Sequence, residues 1–134
     1  MPIENRLRNI HIPDGKGLRG ANAFGTALYL AGVIPADVFV TLDETLKHLG
    51  RLERIDEARV GDLAVVRPLR RSSAYFPSVQ HSGVVVAIDP DYILHRPSFN
   101  APTRTNSLGQ LREGYRSGLW DIEFYRLRNE SQSK

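Results

Sequence analysis

The sequence predicts an α+β domain with helices packed on one face of an antiparallel sheet. Two observations carry this: helical periodicity is confined to the first part of the chain, and short β-forming segments separated by turn residues fill the remainder. A length of 134 residues with 41% hydrophobic content suits one domain, 1–134, built on one core.

Residues 1–19 contain Pro13, Gly15 and Gly17 with little periodicity and read as an extended N-terminal arm leading into a glycine-rich loop. Helical spacing then begins. Ala23, Phe24, Ala27, Leu28 and Ala31 share one face, Asn22 stands where an N-cap accepts a first-turn N–H, and Gly32 supplies the terminating residue. This is the expected central helix. Thr41-Leu42-Asp43-Glu44 has the pattern of a capping box, with Leu42, Leu46 and Leu49 on one side and Gly50 as a stop, so a second short helix follows.

After the charged stretch from Arg51 to Arg59, Gly61-Asp62 turns the chain into Leu63-Ala64-Val65-Val66, a short apolar run expected of a buried strand. Residues 68–80 read as a loop. His81 to Ile88 and Tyr92 to His95 form strands around an Asp89-Pro90-Asp91 turn, and so make a hairpin. Residues 97–114 read as a long excursion with a helical turn at Ser107 to Leu111. Alternation from Leu119 to Leu127 predicts a half-exposed closing strand, and residues 128–134 a polar tail.

Folding the hairpin brings His81 and His95 toward each other across adjacent strands. Direct pairing would centre the hairpin on Ile88, while the turn centres on Pro90; the mismatch of about two residues, roughly 7 Å, calls for a bulge or a slack turn. Taken singly, each histidine reads as a hydrogen-bonded structural residue and Ala23 as a helix-face alanine. Their order along the chain changes that reading.

Asn22-Ala23-Phe24-Gly25 opening a helix, then Gly61-Asp62-Leu63, then His81-Ser82-Gly83-Val84-Val85-Val86, then Ile93-Leu94-His95, resembles the NlpC-type papain-like cell-wall peptidases. In that family Asp-Cys-Ser-Gly opens the helix, Gly-Asp-Leu begins a strand, and His-Val-Gly-Ile and Ile-His-Ala build the hairpin. The likeness covers roughly residues 20–96. It implies a papain-like fold in which Ala23 falls on the nucleophilic cysteine, His81 on the general base and His95 on the residue that orients it. Asn22 replaces the family's aspartate and Phe24 its serine; these two, with Ser82, are the expected substrate-contacting positions. The family's upstream tyrosine has no counterpart, the arm offering only His11 and backbone N–H groups.

The resemblance implies hydrolysis of amide bonds, foremost in peptidoglycan stem peptides, without metal or organic cofactor. Because the chain has no cysteine, it is expected to be inactive as it stands. Ala23 is either a replacement of the nucleophile or the mark of a pseudoenzyme that binds a peptide or partner; a deamidase or acyltransferase on the same scaffold is the third reading. A zinc site from His81, His95 and Asp62 is the metal alternative, disfavoured because the sequence has no closely spaced His-x₃-His pair and Asp62 is a turn residue.

Net charge is only +3, and the arginines at 67, 70 and 71 lack interleaved aromatics, so no nucleic-acid partner is expected. No apolar run approaches membrane-span length, and Met1 to Arg6 lack a signal-like core. The expected context is a soluble lytic effector, carried by a dedicated secretion machine to the periplasm or cell wall, with an inhibitory or immunity protein as a partner.

Overall fold

In the computed structural model, residues 3–10, 20–68, 79–99, 101–114 and 120–128 are described. They form an α+β fold in which N-terminal helices pack on a six-stranded antiparallel sheet. The elements in chain order are α1 (Ile3–Leu7), α2 (Ala23–Leu30), α3 (Leu42–Leu49), β1 (Leu52–Ile55), β2 (Leu63–Pro68), β3 (His81–Ala87), β4 (Tyr92–His95), β5 (Arg104–Ser107), α4 (Leu108–Gly114) and β6 (Trp120–Leu127). The sheet order is β1-β6-β2-β3-β4-β5.

The two faces of β2 explain its unbroken apolar run. Leu63 and Val65 face α2 and α3, packing with Ala27, Leu28, Val40, Leu49, Leu52 and Tyr125, whereas Ala64 and Val66 join Val85, Ile93, Leu111 and Ile122 on the other side. A strand covered on both faces has no polar side to show.

Helix α2 starts and stops as the sequence predicts. Asn22 caps it in an extended conformation, and the Gly32 and Val33 N–H groups bond back to the Tyr29 and Leu28 carbonyls, with Gly32 at φ 82°. This is a Schellman closure, in which glycine supplies the left-handed residue. The Thr41–Glu44 capping box is also present, and Leu42 and Leu46 pack on the core beside Leu49.

The N-terminal segment differs from the extended arm expected of it. Residues 3–7 are helical, and Ile3, Leu7 and Ile10 pack against Tyr29, Leu30 and Val84, while the Tyr29 hydroxyl donates to the Arg6 carbonyl at 2.8 Å. Packing of that partly buried i, i+4, i+7 stripe on the core offsets the shortness of the helix. Two edge strands were also not foreseen. β1 buries only Leu52 fully, and β5 reads Arg-Thr-Asn-Ser, so neither has the apolar alternation by which strands are recognised. The helical turn expected from Ser107 is α4, which runs to Gly114. His11, Arg70, Arg71 and the tail beyond Arg128 lie outside the described residues.

Candidate active site

The hairpin register decides where the histidines stand. β3 pairs with β4 through Val84 opposite Leu94 and Val85 opposite Ile93, then slips by a bulge before Ala87 meets Tyr92. One further step puts Gly83, not His81, opposite His95. The bulge therefore absorbs only part of the mismatch, and the histidines are diagonal rather than directly cross-strand neighbours, an offset that long side chains span.

The absence of a side chain at Gly83 opens that diagonal. A Cβ there would sit 2.5 Å from Ile93 Cγ2, 2.8 Å from the Leu94 carbonyl oxygen and 3.1 Å from His95 Cβ. Across the vacated position the two rings meet edge to face, with centroids 4.9 Å apart, planes at 89°, and His81 Nε2 2.8 Å from His95 Nδ1. The other nitrogen of His95, Nε2, lies 2.7 Å from Asn106 Oδ1 on β5. Both rings are buried.

Burial sets their charge state. The His81 imidazole is pushed down to about 4, first by desolvation and then by neighbouring His95. His95 is also held below its ordinary value by burial, with the Asn106 hydrogen bond opposing that shift and Arg104 adding to it. At neutral pH this is a pair of uncharged imidazoles, one ring donating to the other.

Ala23 is the first residue of α2 and is partly exposed. Its carbonyl accepts a 3.1 Å hydrogen bond from Ser82 Oγ, which ties the head of the helix to the residue beside His81. Alternation along β3 sends Ser82 and Val84 toward α2, and His81, Gly83 and Val85 to the other face. The helix head and the imidazole pair thus occupy the same end of β3 from its two sides.

The other two expected contact positions have structural work. Asn22 Oδ1 accepts from the N–H groups of Gly25 and Val40, each at 3.0 Å, and Asn22 Nδ2 donates to the Val40 carbonyl at 2.7 Å. An amide both donates and accepts here, a task an ionised aspartate cannot perform. Phe24 packs against the core beneath α2 and α3. Gly25 lets the backbone pass: a Cβ there would lie 1.5 Å from the Val38 carbonyl oxygen.

A buried network unseen in the sequence braces the same region. Arg96, fully buried, donates through Nε to Thr26 Oγ1 and through a terminal nitrogen to Asp37 Oδ2, each at 2.8 Å, and also bonds the Ala101 carbonyl. Thr26 in turn donates to Asp37 Oδ1 at 2.6 Å. The residue after His95 is thereby locked to the first turn of α2. A lone arginine after a strand carries no sequence signal for this, because its partners lie 59 and 70 residues away.

Asp62 is not part of this cluster. It accepts two hydrogen bonds from Arg126, at 2.8 and 2.7 Å, and one from the Arg59 N–H at 2.7 Å. It also precedes Leu63, at the far end of β2 from Val66, the partner of His81. Among the described residues no group of histidine, aspartate and glutamate is arranged to hold a metal ion. No helix among them is long and apolar enough to cross a membrane. Compared with known protein families, curated proteins and solved structures, the chain matches none.

Proposed function

We propose that this domain is a papain-like cysteine amidase or endopeptidase of the NlpC type in which alanine occupies the nucleophile's position. The chain as it stands binds an amide substrate without cleaving it. The observation that carries this reading is the His81–His95 imidazole pair, joined at 2.8 Å, beside the serine that holds the head of α2.

The chemistry follows from the parts. With a thiol at position 23, Sγ attacks the substrate carbonyl while His81 takes the thiol proton; the tetrahedral oxyanion meets N–H groups at the very start of α2, that of residue 23 among them, ahead of the Gly25 N–H that Asn22 caps. His81 then gives that proton to the leaving amine as the C–N bond breaks. Water, deprotonated by His81, hydrolyses the thioester to release the acid and restore the thiol. His95 holds His81 in place. Because Ser82 and His81 point to opposite faces of β3 and His81 is the first residue of that strand, the thiol meets His81 around the strand's start.

Peptidoglycan stem peptides are the proposed substrate, and the proposed setting is a delivered lytic effector with a cognate inhibitor. Incubating the Ala23→Cys protein with wall fragments and reading products by mass spectrometry tests this. Stem-peptide cleavage supports it; a one-dalton side-chain change or a new crosslink identifies a deamidase or an acyltransferase instead. No product from wall fragments or from generic amides, with the fold intact, leaves a peptide- or partner-binding module.

A further inference from the structure

We infer that Asn106 and Gln110 direct the protons of the histidine pair, making Asn106 a positioning residue that keeps Nδ1 of His81 as the proton acceptor. This deepens the hydrolase reading and names a residue outside the Cys-His-His pattern from which that reading began.

The direction is set from a backbone group whose role is unambiguous. The Ser107 N–H can only donate, and it donates to Gln110 Oε1 at 2.8 Å, which fixes that side chain's oxygen. Asn106 Nδ2 donates to the same oxygen at 3.3 Å, which turns Asn106 Oδ1 toward His95. An oxygen facing His95 Nε2 at 2.7 Å requires the proton on that nitrogen. In a neutral ring His95 Nδ1 is then an acceptor, so the 2.8 Å contact must be a donation from His81 Nε2–H. One proton remains to each neutral ring, and Nδ1 of His81 carries the lone pair.

The fold supports this as a built arrangement. β5 is paired with β4 through Ile93 opposite Asn106 and His95 opposite Arg104, so Asn106 reaches His95 along the same diagonal by which His95 reaches His81. The helix that follows at once, α4, brings Gln110 back over the end of β5, and Ser107 Oγ caps it by accepting from the Gln110 N–H at 3.1 Å. A short polar strand that buries little apolar surface thus finds its use in orienting an amide.

The test is read on the chain as it stands, with Ala23 in place, so its outcome does not depend on hydrolase activity. Long-range ¹H–¹⁵N spectra of the imidazoles at pH 7.5 should show both rings neutral and protonated at Nε2, with Nδ1 of His81 unprotonated. Asn106→Leu should populate an Nδ1–H form of both rings, while Asn106→Asp, which still accepts from His95, should keep the original tautomers. Amide spectra of both variants verify the fold; if Asn106→Leu does not fold, Gln110→Leu, which removes the group that orients Asn106, is read in its place. In the Ala23→Cys background, Asn106→Leu should lower kcat by about 10- to 100-fold with little change in KM, and Asn106→Asp should restore most of it. A His81 ring protonated at Nδ1 in the parent chain overturns the inference, as do tautomers unmoved by both Asn106→Leu and Gln110→Leu. Correct tautomers with no turnover would instead count against the hydrolase reading alone.

Discussion

Ser82 Oγ donates to the carbonyl of Ala23, so the first residue of the central helix is fastened to β3 one position from His81. Removing that hydroxyl as Ser82→Ala should cost about 1 kcal/mol, the usual net worth of one hydrogen bond. Urea unfolding followed by circular dichroism measures it. An unchanged midpoint would mean that the tether contributes nothing to holding the helix head.

Gly25→Ala should be far more damaging. A methyl group placed 1.5 Å from the Val38 carbonyl oxygen has no room, because what it meets is backbone that Asn22 already clamps through Val40. The expected loss exceeds about 3 kcal/mol, the upper range of overpacking costs. Gly83→Ala should cost less, about 1 to 3 kcal/mol, but should separate the imidazoles, visible as a shift in the ring resonances of His95. A fully stable Gly25→Ala protein would refute the close crossing of α2 and the 38–40 segment.

Acid should weaken the fold through the histidines. Both rings are held below the ordinary 6.5 in the folded chain, His81 at about 4, so between these values the unfolded chain binds more protons. Stability that is complete above pH 6.5 is therefore lost as pH falls toward 4. For His81 the loss is on the order of 3 kcal/mol, at about 1.4 kcal/mol per pKa unit. Unfolding midpoints at pH 7 and pH 4.5 give the slope, and His81→Asn should flatten it. An equally steep slope in that variant would place the titrating group elsewhere.

Arg96 and Asp37 should be strongly coupled. Breaking a buried pair by Arg96→Met removes the guanidinium from which Asp37 Oδ2 accepts, at a cost of about 3 to 5 kcal/mol, whereas removing both charges with Asp37→Leu and Arg96→Met together recovers much of it. A double-mutant cycle measures the coupling. Additive losses would show that the two groups do not act as a unit.

These sites show how far the sequence could be read. The α2 and α3 caps, the β2 run and the β3–β4 hairpin were legible because each rests on local chemistry: an Asn or Thr at a helix start, a glycine at a helix end, an apolar run between turns. The approach of His81 and His95 across the hairpin was legible, and so was the need for a bulge, but their diagonal offset was not, since it depended on how far the bulge shifts the register and on what Gly83 leaves empty. β1, β5 and the Arg96 network were not legible. Edge strands that bury few side chains leave no periodic trace, and a buried arginine is explained only by partners distant in sequence. Asn106 lay in a segment expected to be an irregular excursion, where nothing marked it as the neighbour of His95.

The most direct test of the central claim is the alkylation rate of an Ala23→Cys protein as a function of pH, with and without His81→Ala. The account predicts a thiol that ionises well below the ordinary value of about 8.5 and returns to it when His81 is removed. An introduced thiol that titrates near that ordinary value whether or not His81 is present would show that the helix head and the imidazole pair do not form one site.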